Sequence, residues 1–171
     1  MILRAPELSD VDALYLWEND PDRLMHGRVG LPYSRHSIWE YVKQYNDNAL
    51  PSGHVRLMFD TDHLTPSGVV DIYDIDSSAL HAYVSIYVAT VVRNQGLGLE
   101  ALSQAKNFAL NHLGLNQLAA FISCDNSVSI SLFEKAGFKK IAFLPEWVRG
   151  RSGSLTAAFL YLHKLNCENN D

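Results

Sequence analysis

Apolar positions recur first at helical spacing, then at strand spacing, and afterwards the two periods alternate. Ile2-Leu3-Arg4 reads as a short opening strand. Ser9 stands before Val11, Leu14, Tyr15 and Glu18 at helical spacing, which predicts an N-capped amphipathic helix. Asn19-Asp20-Pro21-Asp22 breaks it, and residues 23–33, with Gly27, Gly30 and Pro32, read as irregular. Ser37 and Glu40 have capping-box spacing, with Ile38, Tyr41, Val42 and Tyr45 on one face, so a second helix is expected from Ser37.

The period then changes to two. Val55, Leu57 and Phe59 alternate with Arg56, Met58 and Asp60 as a strand. Residues 61–67 read as a turn, and 69–75 and 82–88 as two further strands completing an antiparallel meander. Leu99, Leu102, Ala105, Ala109 and Leu113 return to helical spacing, closed by Gly114. A strand over 117–123 follows, then a short helix capped by Asn126 or Ser127 and ending near Gly137. Strands over 138–144 and 155–163, joined through Trp147 to Ser154, complete the pattern. It predicts one α/β (α+β) domain over residues 1–165 with a polar tail at 166–171.

Length and charge narrow the classes. At 171 residues and 47% hydrophobic composition, the chain has enough core to fold without disulfides or metals. A net charge of −5 argues against a general nucleic-acid binder and leaves an acidic surplus to attract a cationic substrate. Two distant cysteines, Cys124 and Cys167, make no disulfide framework, and with no signal-like or membrane-length apolar run the expected setting is cytoplasmic. The seven histidines show no metal-ligand spacing, so no metal is expected.

The chemistry centres on Arg93-Asn94-Gln95-Gly96-Leu97-Gly98, a glycine turn that opens a helix. Such a turn lets main chain approach a ligand, and the free first-turn amides suit a phosphate or pyrophosphate, with Arg93 adding a cation. The P-loop pattern is absent. The turn follows a meander instead of opening a βαβ unit, which argues against a dinucleotide fold.

Arg93-x-x-Gly96-x-Gly98 and the later Asn126, Ser129, Leu132-Phe133-Glu134-Lys135-Ala136-Gly137-Phe138 together resemble the GNAT superfamily of acetyl-CoA-dependent N-acetyltransferases. The resemblance covers residues 55–164, and the Leu3-Arg4 and Trp17-Glu18-Asn19-Asp20 pattern is most similar to the branch with spermidine and ribosomal-protein N-terminal acetyltransferases. It implies a mixed, mostly antiparallel sheet of about seven strands, splayed between the fourth and fifth, with helices on both faces and acetyl-CoA in the gap. It implies that Arg93, Asn94, Gln95, Gly96, Leu97 and Gly98 hold the pyrophosphate. Backbone at Ile86 and Val88 would pair with the pantetheine arm, Asn126 would hydrogen-bond it, and Phe133 would pack beside the thioester. The implied acceptor is an amine (a polyamine, a protein N-terminus, an amino sugar or an antibiotic amine), and a homodimer is a further expectation.

Two departures stand out. The family tyrosine that protonates the thiolate is Phe133 here, leaving Tyr83, Tyr87, Ser131, Cys124 or water to serve. The strand glutamate of relatives is Tyr83. The amine must lose a proton before attack. Asp71 is the first candidate base and Asp74 the second, with Tyr83 beside them. Trp147 falls where relatives line the acceptor cleft, and Glu18, Asp20 and Asp22 are candidates to attract a polyamine. The departures also motivate an alternative, a non-catalytic acyl-CoA-binding module.

Overall fold

The computed structural model describes residues 2–20, 31–61, 65–149 and 154–165. In order they form β1 (Ile2–Arg4), α1 (Val11–Glu18), α2 (Arg35–Lys43), β2 (Val55–Asp60), β3 (Pro66–Asp76) and β4 (His81–Val88). Then come α3 (Leu97–Asn111), β5 (Gln117–Ser123), α4 (Ser127–Lys135), β6 (Lys139–Arg149) and β7 (Leu155–Lys164). The irregular stretch expected over 23–33 lies outside the described residues up to Gly30, as do Asp22, the centre of the 61–67 turn, residues 150–153 and the tail with Cys167.

One seven-stranded sheet runs β1-β2-β3-β4-β5-β7-β6. All neighbours are antiparallel except β4 and β5, which pair parallel over only three residues, His81–Tyr83 against Gln117–Ala119. The expected splay between the fourth and fifth strands is therefore present.

Strand alternation feeds two cores. Val70, Ile72, Ala82 and Val84 point to the face covered by α3 and α4, where they meet Ala101, Leu102, Ala105 and Phe133. Val69 and Met58 point to the other face and meet Leu14 of α1 with Ile38 and Val42 of α2. The three alanines of α3, Ala101, Ala105 and Ala109, let the helix lie close on the sheet, and all three are fully buried. At Gly68 a Cβ would stand 2.2 Å from the Tyr87 carbonyl oxygen, so only glycine fits where β3 crosses the end of β4.

Three local expectations shift. Ser34, not Ser37, caps α2: its Oγ accepts from the Ser37 amide at 3.0 Å, so the helix starts at Arg35. Ser9 sits inside a 3-10 turn, Leu8–Asp10, because the buried Asp10 carboxylate accepts from the Glu7 amide and from Arg4. Trp147 lies within β6 and not in the connection after it. The strand continues to Arg149 past an irregularity between Leu144 and Val148, where Glu146 has φ 51°.

Candidate active site

Past Tyr83 and Ala119 the two parallel strands part. Among the described residues, the edge of β4 that faces β5 then has no strand partner, so its amides and carbonyls are open to a ligand. A cavity of about 160 Å³ fills the gap. Val84, Ser85 and Ile86 line it from β4, and Ala120, Phe121, Ile122 and Ser123 from β5. Asn126, Ser129 and Phe133 close one side, Val148 and Arg149 another. Ile86 and Ile122 belong to one face of the sheet and Ser85 and Phe121 to the other, so residues of both faces line the cavity.

The glycine turn stands at the far end of β4. Asn94 and Gly96 both have positive φ, 64° and 81°, which folds the chain back to start α3 with Gly96 as N-cap. The amides of the first turn of α3 have no carbonyl four residues back, and the positive end of the helix dipole lies there. Gly96 faces open space, whereas a Cβ at Gly98 would lie 3.2 Å from Leu132 of α4 and 3.5 Å from Val88. The first glycine thus serves conformation and the second serves packing. Exposed Arg93 folds along β4: its Nε donates to the Val88 carbonyl at 3.0 Å, and its guanidinium lies 5.6 Å from the Tyr87 ring centre. Gln95 and Leu97 complete the turn between them.

Asn126 is the N-cap of α4. Its Oδ1 accepts from the Ser129 amide at 3.1 Å, while its NH2 group has no partner among the described residues. A cavity-lining donor of this kind fits the carbonyls of a pantetheine arm. Phe133 is buried and packs edge-on to Phe138 at 5.0 Å, so an apolar wall stands where a hydroxyl was considered. Ile86 and Val88 lie on the β4 stretch past Tyr83, paired with Val70 and Gly68 of β3 on its other edge.

The opposite face of the sheet carries the candidate proton carriers. Asp71 is opposite Ser85 in the ladder and is only 6% exposed. Arg56 grips it twice, Nε to Oδ1 at 2.6 Å and Nη2 to Oδ2 at 3.0 Å, and His54 Nε2 lies 3.0 Å from Oδ1. A third Arg56 nitrogen reaches Glu18 of α1 at 2.7 Å. Burial alone would lower the Arg56 pKa, but Asp71 and Glu18 raise it on balance, so the guanidinium stays charged. Asp71, the first candidate base, is thus the centre of an ion-pair cluster. Asp74 is exposed where β3 becomes irregular, at φ 50°.

Tyr83 sits at the vertex of the gap, between Tyr73 at 5.7 Å and Phe121 at 5.0 Å, and Phe121 meets Trp147 at 5.7 Å. The Tyr87 hydroxyl reaches Asp20 at 3.3 Å, and burial raises its pKa. Ser131 and Cys124 do not line the cavity. His54, Arg56, Ser85 and Phe121 were not singled out in the sequence. The one signal for Arg56 is a cation in an otherwise apolar strand, beside a strand that carries Asp71. Among the described residues no group of three His, Cys, Asp or Glu side chains could hold a metal ion.

This architecture is shared widely. The spermidine N-acetyltransferase of Vibrio cholerae, solved with CoA and spermine, superposes with a TM-score of 0.81 over 96% of this chain and 95% of its own, at 20% identity. An N-acetyltransferase 9-like protein of Nematostella vectensis is 38% identical over 78 residues, 44% of this chain and 39% of its own length. A mycothiol acetyltransferase of Geodermatophilus obscurus is 31% identical over 97 residues, 56% of this chain and 32% of its own length. The matches therefore span well under half the length of these curated relatives. The model of the acetyltransferase (GNAT) domain matches residues 1–139, most of the chain. With that match and the splayed sheet, this chain belongs to the GNAT acetyltransferase family.

Proposed function

We propose that this chain is an N-acetyltransferase that moves an acetyl group from acetyl-CoA to a primary amine, with both substrates bound at once. The observation that carries the reading is the gap itself. It holds a cavity lined by the open β4 edge and by Asn126, and the glycine turn that opens α3 follows at the far end of β4.

Acetyl-CoA supplies an acetyl group already activated as a thioester. In this reading Arg93, Asn94, Gln95, Gly96, Leu97 and Gly98 present a cation and helix-end amides to the pyrophosphate. Main chain at Ile86 and Val88 pairs with the pantetheine arm, Asn126 donates to it, and Phe133 walls the thioester end. An open β4 amide meets the carbonyl oxygen as charge builds on it. The amine nitrogen forms the new bond to carbon, the carbon–sulfur bond breaks, and the sulfur leaves as thiolate. With a thiol pKa of about 8.5 the thiolate needs little help from an acid, which makes Phe133 tolerable in place of tyrosine.

The amine, with a pKa of about 10, must shed its proton first. Asp71 and Tyr83 are the side chains proposed to carry it, from the α1–α2 face. Because Arg56 and His54 occupy the Asp71 oxygens, Asp71 takes the proton through water and His54 stands behind it. The amine acceptor of the Vibrio cholerae neighbour supports an amine here. The test is CoA thiol release from acetyl-CoA over a panel of amines. Release that depends on an amine is expected. Tight CoA binding with no release for any amine would refute the reading and leave an acyl-CoA-binding module.

A further inference from the structure

We propose that the aromatic row Tyr73–Tyr83–Phe121–Trp147 is an acceptor platform, and that it selects an amine with an aromatic body over a linear polyamine. The proposal rests on the acetyl-transfer reading and names the acceptor class for that same gap.

The row crosses the sheet on the face opposite α3 and α4. Tyr73 and Tyr83 are direct partners in the β3–β4 ladder, and Phe121 lies two residues beyond Ala119, the ladder partner of Tyr83. Trp147 arrives from β6 across β7. The irregularity between Leu144 and Val148 frees it to do so, and β7 offers small Ala158 on the way. Phe121 also lines the cavity, as do Val148 and Arg149 next to Trp147, so the platform and the gap are continuous. An amine whose body rests on the row has its nitrogen at the mouth between Ser85 and Phe121.

Ring orientation sets the chemistry. Tyr73 and Tyr83 are 24° from parallel and Tyr83 and Phe121 19°. At centroid separations of 5.7 and 5.0 Å such rings are offset and do not cover one another. An aromatic edge carries positive partial charge and its face negative. A flat aromatic ring laid on the row meets several rings at once in offset or edge-to-face contacts, which a linear polyamine cannot make. Trp147 is 55% exposed, an apolar surface with a use.

The experiment titrates phenethylamine, tryptamine and spermidine into CoA-loaded protein by calorimetry and measures thiol release with each. The aromatic amines are expected to bind, and to exceed spermidine in kcat/KM by about ten-fold. Trp147→Ala is expected to raise KM for the aromatic amines by about ten-fold with kcat nearly kept, and Trp147→Phe to restore most of it. Thermal melts confirm that both variants fold. Spermidine turnover without aromatic-amine binding would overturn the platform and leave acetyl transfer standing. Aromatic-amine binding that Trp147→Ala weakens, with no thiol released, would support the platform and overturn acetyl transfer.

Discussion

Arg56→Met isolates the cluster behind the acceptor face. The substitution keeps an unbranched apolar stem and removes three charge-assisted bonds, two to Asp71 at 2.6 and 3.0 Å and one to Glu18 at 2.7 Å. Asp71 and Glu18 side chains are only 8% and 12% exposed, so both lose their Arg56 bonds while nearly buried. Breaking such a pair costs about 3–5 kcal/mol, against a total stability of about 5–15 kcal/mol. For a chain of this size that lowers the melting temperature by about 10 °C. Thermal melts followed by circular dichroism, with urea titrations for the free energy, read the effect. Replacing the whole cluster, Arg56→Met with Asp71→Asn and Glu18→Gln, removes the stranded charges and is expected to recover most of the loss. Acetyl-CoA affinity stays unchanged in the single variant, while kcat falls because the Asp71 carboxylate loses the Arg56 bonds that orient it. A loss below about 1 kcal/mol, the range of an exposed pair, or no recovery in the triple variant would refute the reasoning.

Three further outcomes are expected. Asn126→Asp keeps an oxygen to cap α4 but loses the NH2 donor, so equilibrium dialysis finds weaker acetyl-CoA binding at unchanged stability, whereas Asn126→Ala also costs about 1 kcal/mol of stability. Gly98→Val drives branched carbons into Leu132 and Val88, displacing the start of α3, and acetyl-CoA affinity falls by about ten-fold or more in the same assay. Burial and the contact with Glu134 push the Tyr161 hydroxyl up to about 12. A raised folded pKa means full stability below about pH 10, the unfolded value, and loss as pH rises toward 12. Urea titrations across that window show a slope that Tyr161→Phe reduces.

Local signals were legible where one stretch of chain decides the outcome. Asn126 capping α4, the three-strand meander and the glycine turn each depend on neighbours in sequence; Asn126 was one of two expected caps, and the meander strands begin and end within three residues of expectation. Where two serines compete three residues apart, as Ser34 and Ser37 do, spacing alone chose the wrong one. The grip of Arg56 on Asp71 depends on the β2–β3 register, which pairs these two residues directly, and register is a tertiary property. The reach of Trp147 to Phe121 depends on a strand irregularity and on β7 lying between β5 and β6, neither of which a periodic pattern carries.

The central claim is that the parted strands and the glycine turn hold one acyl-CoA. Hydrogen exchange of the protein alone and saturated with CoA, resolved by peptide, tests it most directly. The account predicts new protection of amides in β4 past Tyr83, where no strand covers that edge, and in the turn from Gln95 through the first turn of α3. Protection confined to other segments, with both of these stretches exchanging as in the free protein, would contradict it.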